Sequence, residues 1–551
     1  MTANGTQDVP CRKDKPPFCL AMPERACWLA RFVMAKIPFQ SRLLLDTGIS
    51  MGDEGKGRLI PELVRELRSL TGRSDPVGAV VKVNGGANSG HTSGGLKLNL
   101  FPAGVSEKSV RCLGIGSGVV ADPLKFLWEK DYIEHKGHEI GSRLLIDQRC
   151  MISDLSHRLL DLGWEHYRVH TLQQEKRGST GRGISPAYTD ETSQFAMFFQ
   201  EFLLGREAYA RRFKARMERA LATLEHVCKV PPKTFEEFFL TLTEAEIRAN
   251  AEVIEAGIHK EDEFDFTRFL GKEPFRVDLE ALTETYWQAG SQLRDLIGDL
   301  RERLHALHAG GQYLIGEFGQ AFWLDKRFGF PPNVTASHTL PSEFFPSTGL
   351  PLQPVHILGV GKAYDTKVGT HVFISRFPDG HPLGERLARL EYGTTTGRQR
   401  MVGWYDAVEK GDAIRYGGCH DLVLNKLDAL SYGGDWRPGG ELLVCIAYRH
   451  PDGHLLHHVP RDIETHRRLT PVYRQFPGWE EDIAKVRTFD NLPLNAKRYV
   501  AGLLRATLSV AFGDLAHYRG ELPNLRYVGV GPDPDQLIMD VPTTEELLRL
   551  D

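Results

Sequence analysis

Residues 42–70 read RLLLDTGISMGDEGKGRLIPELVRELRSL, and their three parts decide the fold. The apolar run Arg42–Leu45 predicts a buried strand, Gly52-Asp53-Glu54-Gly55-Lys56-Gly57 a glycine loop, and Leu59–Leu70 an amphipathic helix. Strand, loop and helix in that order open a parallel sheet whose ligand loops sit at the carboxyl ends of its strands. Outward from this unit the alternation recurs. Gly78–Val83, Val110–Gly114, Arg143–Ile146, Gln312–Ile315, Val355–Val360, Asp421–Leu424, Leu442–Ala447 and Leu525–Val530 all read as strands, several followed by a helical pattern. The expected class is α/β, with a mostly parallel central sheet, covering helices and one helical insertion. That insertion is predicted over residues 195–308, which are rich in Glu, Arg, Ala and Leu and are interrupted around Pro231–Lys233 and Glu261–Pro274. Residues 1–40 lack periodicity and predict a poorly ordered extension, leaving 41–551 as the main body.

Composition narrows the partners. With 41% hydrophobic and 25% charged residues the chain is ordinary for a globular protein. A net charge of -4 offers no global attraction to nucleic acid or anionic membranes, so any phosphate site must be local. No apolar run reaches the length of a membrane span. The eight cysteines form no C-x-x-C pair, which speaks against a disulfide framework or zinc site and for a reducing, cytoplasmic setting.

Four loops can carry chemistry. In 52–57, glycine N–H groups at a helix start suit phosphate, Lys56 adds charge, and Asp53-Glu54 suits Mg²⁺ or proton transfer. The Walker A pattern is not met, since Ser50 stands where its first glycine belongs and Gly57 follows the lysine. Asn84–Thr92 (NGGANSGHT) again follows a strand and presents His91 on a glycine loop. Asn425-Lys426-Leu427-Asp428 is an N-K-x-D arrangement, whose carboxylate can pair with the N1–H and exocyclic amine of guanine. Together with the phosphate loop it predicts a P-loop-like GTP-binding architecture. Gly178–Tyr188 (GSTGRGISPAY) and Gly393–Arg400 (GTTTGRQR) combine hydroxyls, glycine and arginine, which suits anionic substrates. His450, His454, His457 and His458 flank a Pro451-Asp452-Gly453 turn and read as a solvated hairpin, with a metal site as the alternative.

In this order the loops resemble adenylosuccinate synthetase over nearly all of 42–551. The resemblance also includes Glu317–Gln320 (E-x-x-Q), Pro477-Gly478-Trp479 and Gly531-Pro532-Asp533. It implies that GTP phosphorylates the 6-oxygen of IMP and that the amine of L-aspartate then displaces the phosphate. By the resemblance, Asp53, His91 and Lys56 are catalytic, and Mg²⁺ is held by Asp53 and Gly90. Gly52, Glu54, Gly55, Lys56, Gly57, Thr92, Lys426, Asp428, Gly531 and Pro532 are implied for GTP. Asn88, Thr180, Gln320, Thr335, Val368 and Arg398 are implied for IMP, and Thr395, Thr396, Arg398 and Arg400 for aspartate. A homodimer is implied as well.

The departures are local. Gln194 stands where the family has an arginine donated across the dimer to the IMP phosphate, and the following Phe195–Leu204 is apolar. Ile49-Ser50-Met51 replaces T-Q-W, Gln399 replaces an arginine, and the helical insertion is enlarged. Either IMP binds more weakly than is usual for the family, or a base of the enlarged helical segment compensates, with Arg206, Arg211 and Arg212 the nearest candidates. The alternatives are the same chemistry on another 6-oxopurine nucleotide such as dGMP or with another amine donor, and a GTP-binding regulatory protein without turnover. Asp53 argues against the dGMP reading, because the dGMP-using relative typically replaces that base.

Overall fold

Leu43–Gly48 (β1) is buried along its whole length and packs apolar side chains to both sides. Leu43 and Leu45 enter one core with Phe344, Trp404 and Tyr499, while Leu44 enters another with Leu63, Val64 and Phe101. A strand apolar on both faces belongs in the middle of a sheet covered on both sides. That is its position in the computed structural model, which describes residues 38–368, 370–392 and 399–550. The extension expected at the N-terminus lies outside the described residues up to residue 37.

The other central strands are β2 (Val77–Lys82), β3 (Cys112–Ile115), β4 (Leu144–Asp147), β5 (Ile297–Gly298), β6 (Tyr313–Ala321), β7 (His356–Lys362), β8 (Asp421–Asn425), β9 (Asn524–Gly529) and β10 (Leu537–Ile538). Their order is β5-β4-β3-β2-β6-β1-β7-β8-β9-β10. Every neighbouring pair is parallel except β9–β10. The sheet grows to both sides of β1, so the loop leaving β1 opens into the crevice where ligands bind such sheets.

Helix α1 (Leu59–Thr71) follows that loop, buries Leu59, Ile60, Leu63, Val64 and Leu67, and ends at Gly72 in the left-handed region. Beyond a helix over Pro123–His135 lie α2 (Leu155–His170) and α3 (Ile184–Thr192). Residues 195–308 hold α4 (Arg206–Ala222), α5 (Pro232–Ala249), α6 (Leu279–Gln292) and α7 (Leu300–Ala309), with Pro232 at the start of α5 and Asp278 and Asp299 capping the last two. This stretch is woven into the sheet, because Ile297–Gly298 forms its edge strand beside Ile146 and Asp147.

One expected strand belongs to a different sheet. The run Leu442–Ala447 forms a strand, Glu441–Arg449, but it pairs antiparallel with Thr470–Pro477 outside the central sheet. An apolar run declares a strand without declaring its neighbour, and Thr470–Pro477 is largely solvent-facing and carries no apolar run. Edge strands β5 and β10 have two residues each, too few for periodicity. The histidine hairpin turns at 450–454, where the Asp452 carboxylate accepts from the His454 N–H (3.1 Å) and faces both His450 and His454 Nδ1. The five described cysteines (Cys112, Cys150, Cys228, Cys419 and Cys445) are free and buried, and no described helix is long and apolar enough to cross a membrane.

Candidate active site

The 52–57 loop closes on itself. Gly52, Asp53 and Gly55 all have positive φ (97°, 60° and 81°), a strained conformation for the non-glycine Asp53. Glu54 holds the turn from inside. Its carboxylate accepts from the Gly52 N–H (2.8 Å) and from Lys56 Nζ (3.0 Å), while the Glu54 carbonyl accepts from Asn425 Nδ2 (2.7 Å). Lys56 is buried and charged: burial opposes its proton, but Glu54 and Asp46 raise its pKa. A Cβ on Gly57 would meet His91 Cβ at 2.8 Å, so this glycine lets the loop lie directly against the strand that carries His91.

Asp53 and His91 stand in opposite electrostatic states. Burial alone would raise the Asp53 carboxyl, but Arg400, Lys362 and Lys56 together hold it below the usual range, and Arg400 Nε sits 2.6 Å from Oδ2. His91 is pushed down by burial against the pull of Glu317. The neutral ring donates from Nδ1 to Glu317 Oε1 (2.5 Å), and Glu317 Oε2 accepts from the Ala103 N–H (2.6 Å). His91 Nε2 is buried with no protein partner.

These groups share one cleft of about 770 Å³. At one end the N-K-x-D loop leaves β8 with Lys426 at φ 61°, its Nζ 2.5 Å from Glu391. Burial raises the Asp428 carboxyl above its ordinary range. Arg58 ties the first loop to this end by donating to the Gly531 carbonyl and to the Asp533 carbonyl (2.9 Å). On another wall a polar chain runs from Asn88 Oδ1 to Gln320 Nε2 (3.3 Å), from Gln320 Oε1 to Ser337 Oγ (3.2 Å), and on to Thr335 (3.3 Å). At the far end lies Thr180, on the loop between α2 and α3. Buried Arg58 Nε, His91 Nε2, Asn425 Oδ1 and Asp428 Oδ1 have no protein partner, and all four residues line the cleft. Unpaired polar atoms around a cavity call for a polar ligand.

The chain from 47 to 511 is covered by two matches, 47–259 and 250–511, to the family model described as adenylosuccinate synthetase. The chain belongs to the adenylosuccinate synthetase family. Membership carries the enzyme class, a GTP-dependent carbon–nitrogen ligase that joins L-aspartate to IMP. Adenylosuccinate synthetase of Saccharophagus degradans is 31% identical over 463 residues, 83% of this chain and 91% of the relative. That of Hahella chejuensis is 32% identical over 464 residues, with the same coverage. The solved structure of fully ligated adenylosuccinate synthetase from Plasmodium falciparum superposes with a TM-score of 0.68 at 25% identity, covering 91% of this chain and all of that one.

Within this family fold the cleft gathers the described residues singled out by sequence: Gly52, Asp53, Glu54, Gly55, Lys56, Gly57, Asn88, Gly90, His91, Thr92, Thr180, Gln320, Thr335, Val368, Arg400, Lys426, Asp428, Gly531 and Pro532. Thr395, Thr396 and Arg398 lie outside the described residues. Of the candidates to compensate for Gln194, Arg206 is engaged by Glu280 and Glu284, Arg212 by Glu201 and the Ala196 carbonyl, and Arg211 is exposed; none of the three lines the cleft of its own chain. Sequence reasoning also passed over Arg58, Arg177, Tyr364 and Glu391. Arg58 and Arg177 each adjoin a recognised loop motif, while Tyr364 and Glu391 carried no local signal.

Proposed function

We propose that the cleft works in two steps, and that Asp53 removes the N1 proton of IMP while its 6-oxygen takes the γ-phosphoryl of GTP. The amine of L-aspartate then attacks C6 and inorganic phosphate leaves, giving adenylosuccinate and GDP. The placement of Asp53 carries this reading: its carboxylate lines the cleft with Arg400 Nε 2.6 Å from Oδ2, and at neutral pH it is in the ionised form that a base must have. Arg400, now paired with Asp53, would turn to a carboxylate of the incoming aspartate together with Thr395, Thr396 and Arg398. Lys56 and the loop N–H groups would hold the phosphates, and the unpartnered His91 Nε2 would face the transferring group.

Lys426, Asp428, Gly531 and Pro532 would hold the guanine, with the vacant Asp428 Oδ1 as acceptor for its N–H groups. The wall of Asn88, Gln320 and Thr335, with Thr180 and Val368, would take IMP. The Asp53 carboxylate and the Gly90 carbonyl are hard oxygen donors that suit Mg²⁺, which would neutralise charge on the phosphates when bound. A homodimer and a cytoplasmic setting complete the proposal. Phosphate release with GTP, across a panel of purine nucleotides and amino acids, tests it. Preference for IMP and L-aspartate is the expected result, and preference for dGMP or another amine would replace the substrate assignment.

A further inference from the structure

The guanidinium and ammonium groups lining the cleft differ in how firmly they are held. Lys56, Lys426 and Arg400 each lie within 3.0 Å of a carboxylate oxygen, and Arg58 is bonded to two carbonyls. Among the described residues Arg177 is the exception. Its guanidinium is 3.6 Å from Asp161, 3.7 Å from Glu165 and 3.4 Å from Ser185 Oγ, and its side chain is 26% exposed. Each acid divides its oxygens: Asp161 Oδ2 accepts from the Gly183 N–H (2.9 Å) and Glu165 Oε2 from the Gly178 N–H (2.8 Å), while Oδ1 and Oε1 face Arg177 at the longer distances. Asp161 and Glu165 thus shape the loop and hold a charged, fork-shaped donor only loosely beside the cleft.

Arg177 stands three residues before Thr180, and Ser185 lies in the first turn of α3, whose leading N–H groups have no side-chain cap. A guanidinium, two hydroxyls and a helix start together make a receptor for a phosphate dianion. Gln194, at the position from which the family reaches across the dimer, is exposed on its own chain and offers a neutral amide in place of a charge.

We propose that Arg177 supplies, from within the same chain, the cationic contact to the 5′-phosphate of the purine acceptor, in place of an arginine reached from a neighbouring subunit. The assignment rests on the proposed placement of the acceptor nucleotide at the Thr180 end. It makes the binding of that phosphate independent of subunit contact.

Calorimetric binding of IMP and of inosine, which lacks the phosphate, reads the assignment without turnover. Arg177→Ala should weaken IMP about 10- to 100-fold and leave inosine unchanged, the loss typical of a charge-assisted contact. Arg177→Lys should recover part of the IMP affinity, and Gln194→Ala should change neither ligand. Equal weakening of IMP and inosine by Arg177→Ala, or no weakening of either, overturns the assignment and leaves Arg177 as a neutraliser of Asp161 and Glu165. Turnover of IMP with GTP and L-aspartate by the unmodified enzyme is scored separately. Turnover without Arg177-dependent binding sinks only this inference. Arg177-dependent binding of a purine 5′-nucleotide without turnover sinks only the proposed reaction.

Discussion

The two ends of the cleft are built on different supports. The Lys426–Asp428 end rises from the carboxyl end of β8, with Leu427 N–H bonded to the Gly529 carbonyl at the end of β9 (3.0 Å). The Thr180 end rests on helices instead. Glu246 of α5 pairs with Arg182 of the loop and with Arg158 of α2 (2.9 Å), and Arg158 Nε donates to the Gly181 carbonyl (3.1 Å). Glu246 is fully buried, and Arg182, Arg158 and Lys125 hold its carboxyl down to about 2 against the push of burial. One end is thus fixed by backbone hydrogen bonds of the sheet, the other by a buried ion cluster that reaches into the 195–308 region. Damage to that cluster should disturb one ligand and spare the other.

Asp53→Asn should have the largest effect while touching neither end. Acid–base work of this kind is worth roughly two to four orders of magnitude. We expect kcat to fall by that range with GTP and IMP affinities little changed; near-normal turnover would sink the catalytic assignment. Glu246→Ala should break only the Thr180 end. Leaving two buried guanidinium groups unpaired costs about 3–5 kcal/mol, so chemical denaturation should show a large loss of stability. IMP affinity should fall with it, and a GTP affinity that fell equally would erase the contrast between the ends.

Asp428→Asn should break only the guanine end. One unmatched buried polar group costs about 1–3 kcal/mol, so GTP should weaken about 10- to 100-fold. XTP should gain, since xanthine offers an acceptor where guanine offers its amine. ATP proving the better phosphoryl donor of the unaltered enzyme would overturn the guanine reading. The smallest effect is a pH response. Asp428 titrates above the usual carboxylate value of about 4 and Asp53 below it, so acidification protonates Asp428 first. The GTP Kd should therefore begin to rise at a pH where the phosphoryl step, at saturating nucleotides, still runs at full rate. Simultaneous loss of both would mean that the two carboxyls are not separated in this way.

Legibility in the sequence followed the same division. Strand β1, its loop and α1 are contiguous, so Arg42–Leu70 declared them, and glycines at 52, 55 and 57 marked the turn. Lys426 and Asp428 were readable because recognition and support lie within four residues. Glu246 was not readable, since its partners Arg158 and Arg182 lie 88 and 64 residues earlier and an acid within a helix looks like any solvated one. Arg177 failed for a different reason. Its role depends on Asp161 and Glu165 dividing their oxygens between the Gly183 and Gly178 N–H groups and a long pairing with Arg177, an arrangement in space that no spacing rule encodes. The strand Thr470–Pro477 was missed because its apolar residues, Val472, Tyr473 and Phe476, are few and do not form a run.

The place of β1 in the sheet also governs how the chain can be made. It is the first described strand to leave the ribosome, yet the strands that pair with it, β6 and β7, are synthesised more than 260 residues later, as the register Leu43 to Leu314 and Leu44 to His356 shows. The Phe318 N–H that bonds Asp46 lies 272 residues downstream (2.9 Å). Until then both edges of the strand lack their native partners, and only the Leu44 face has early neighbours, in Leu63 and Val64 of α1. Sheet assembly of this range is slow and exposes sticky segments while it waits. The nascent chain should therefore bind holdase chaperones from the emergence of Leu43–Gly48 until β7 is complete, and release them abruptly once His356–Lys362 has left the exit tunnel.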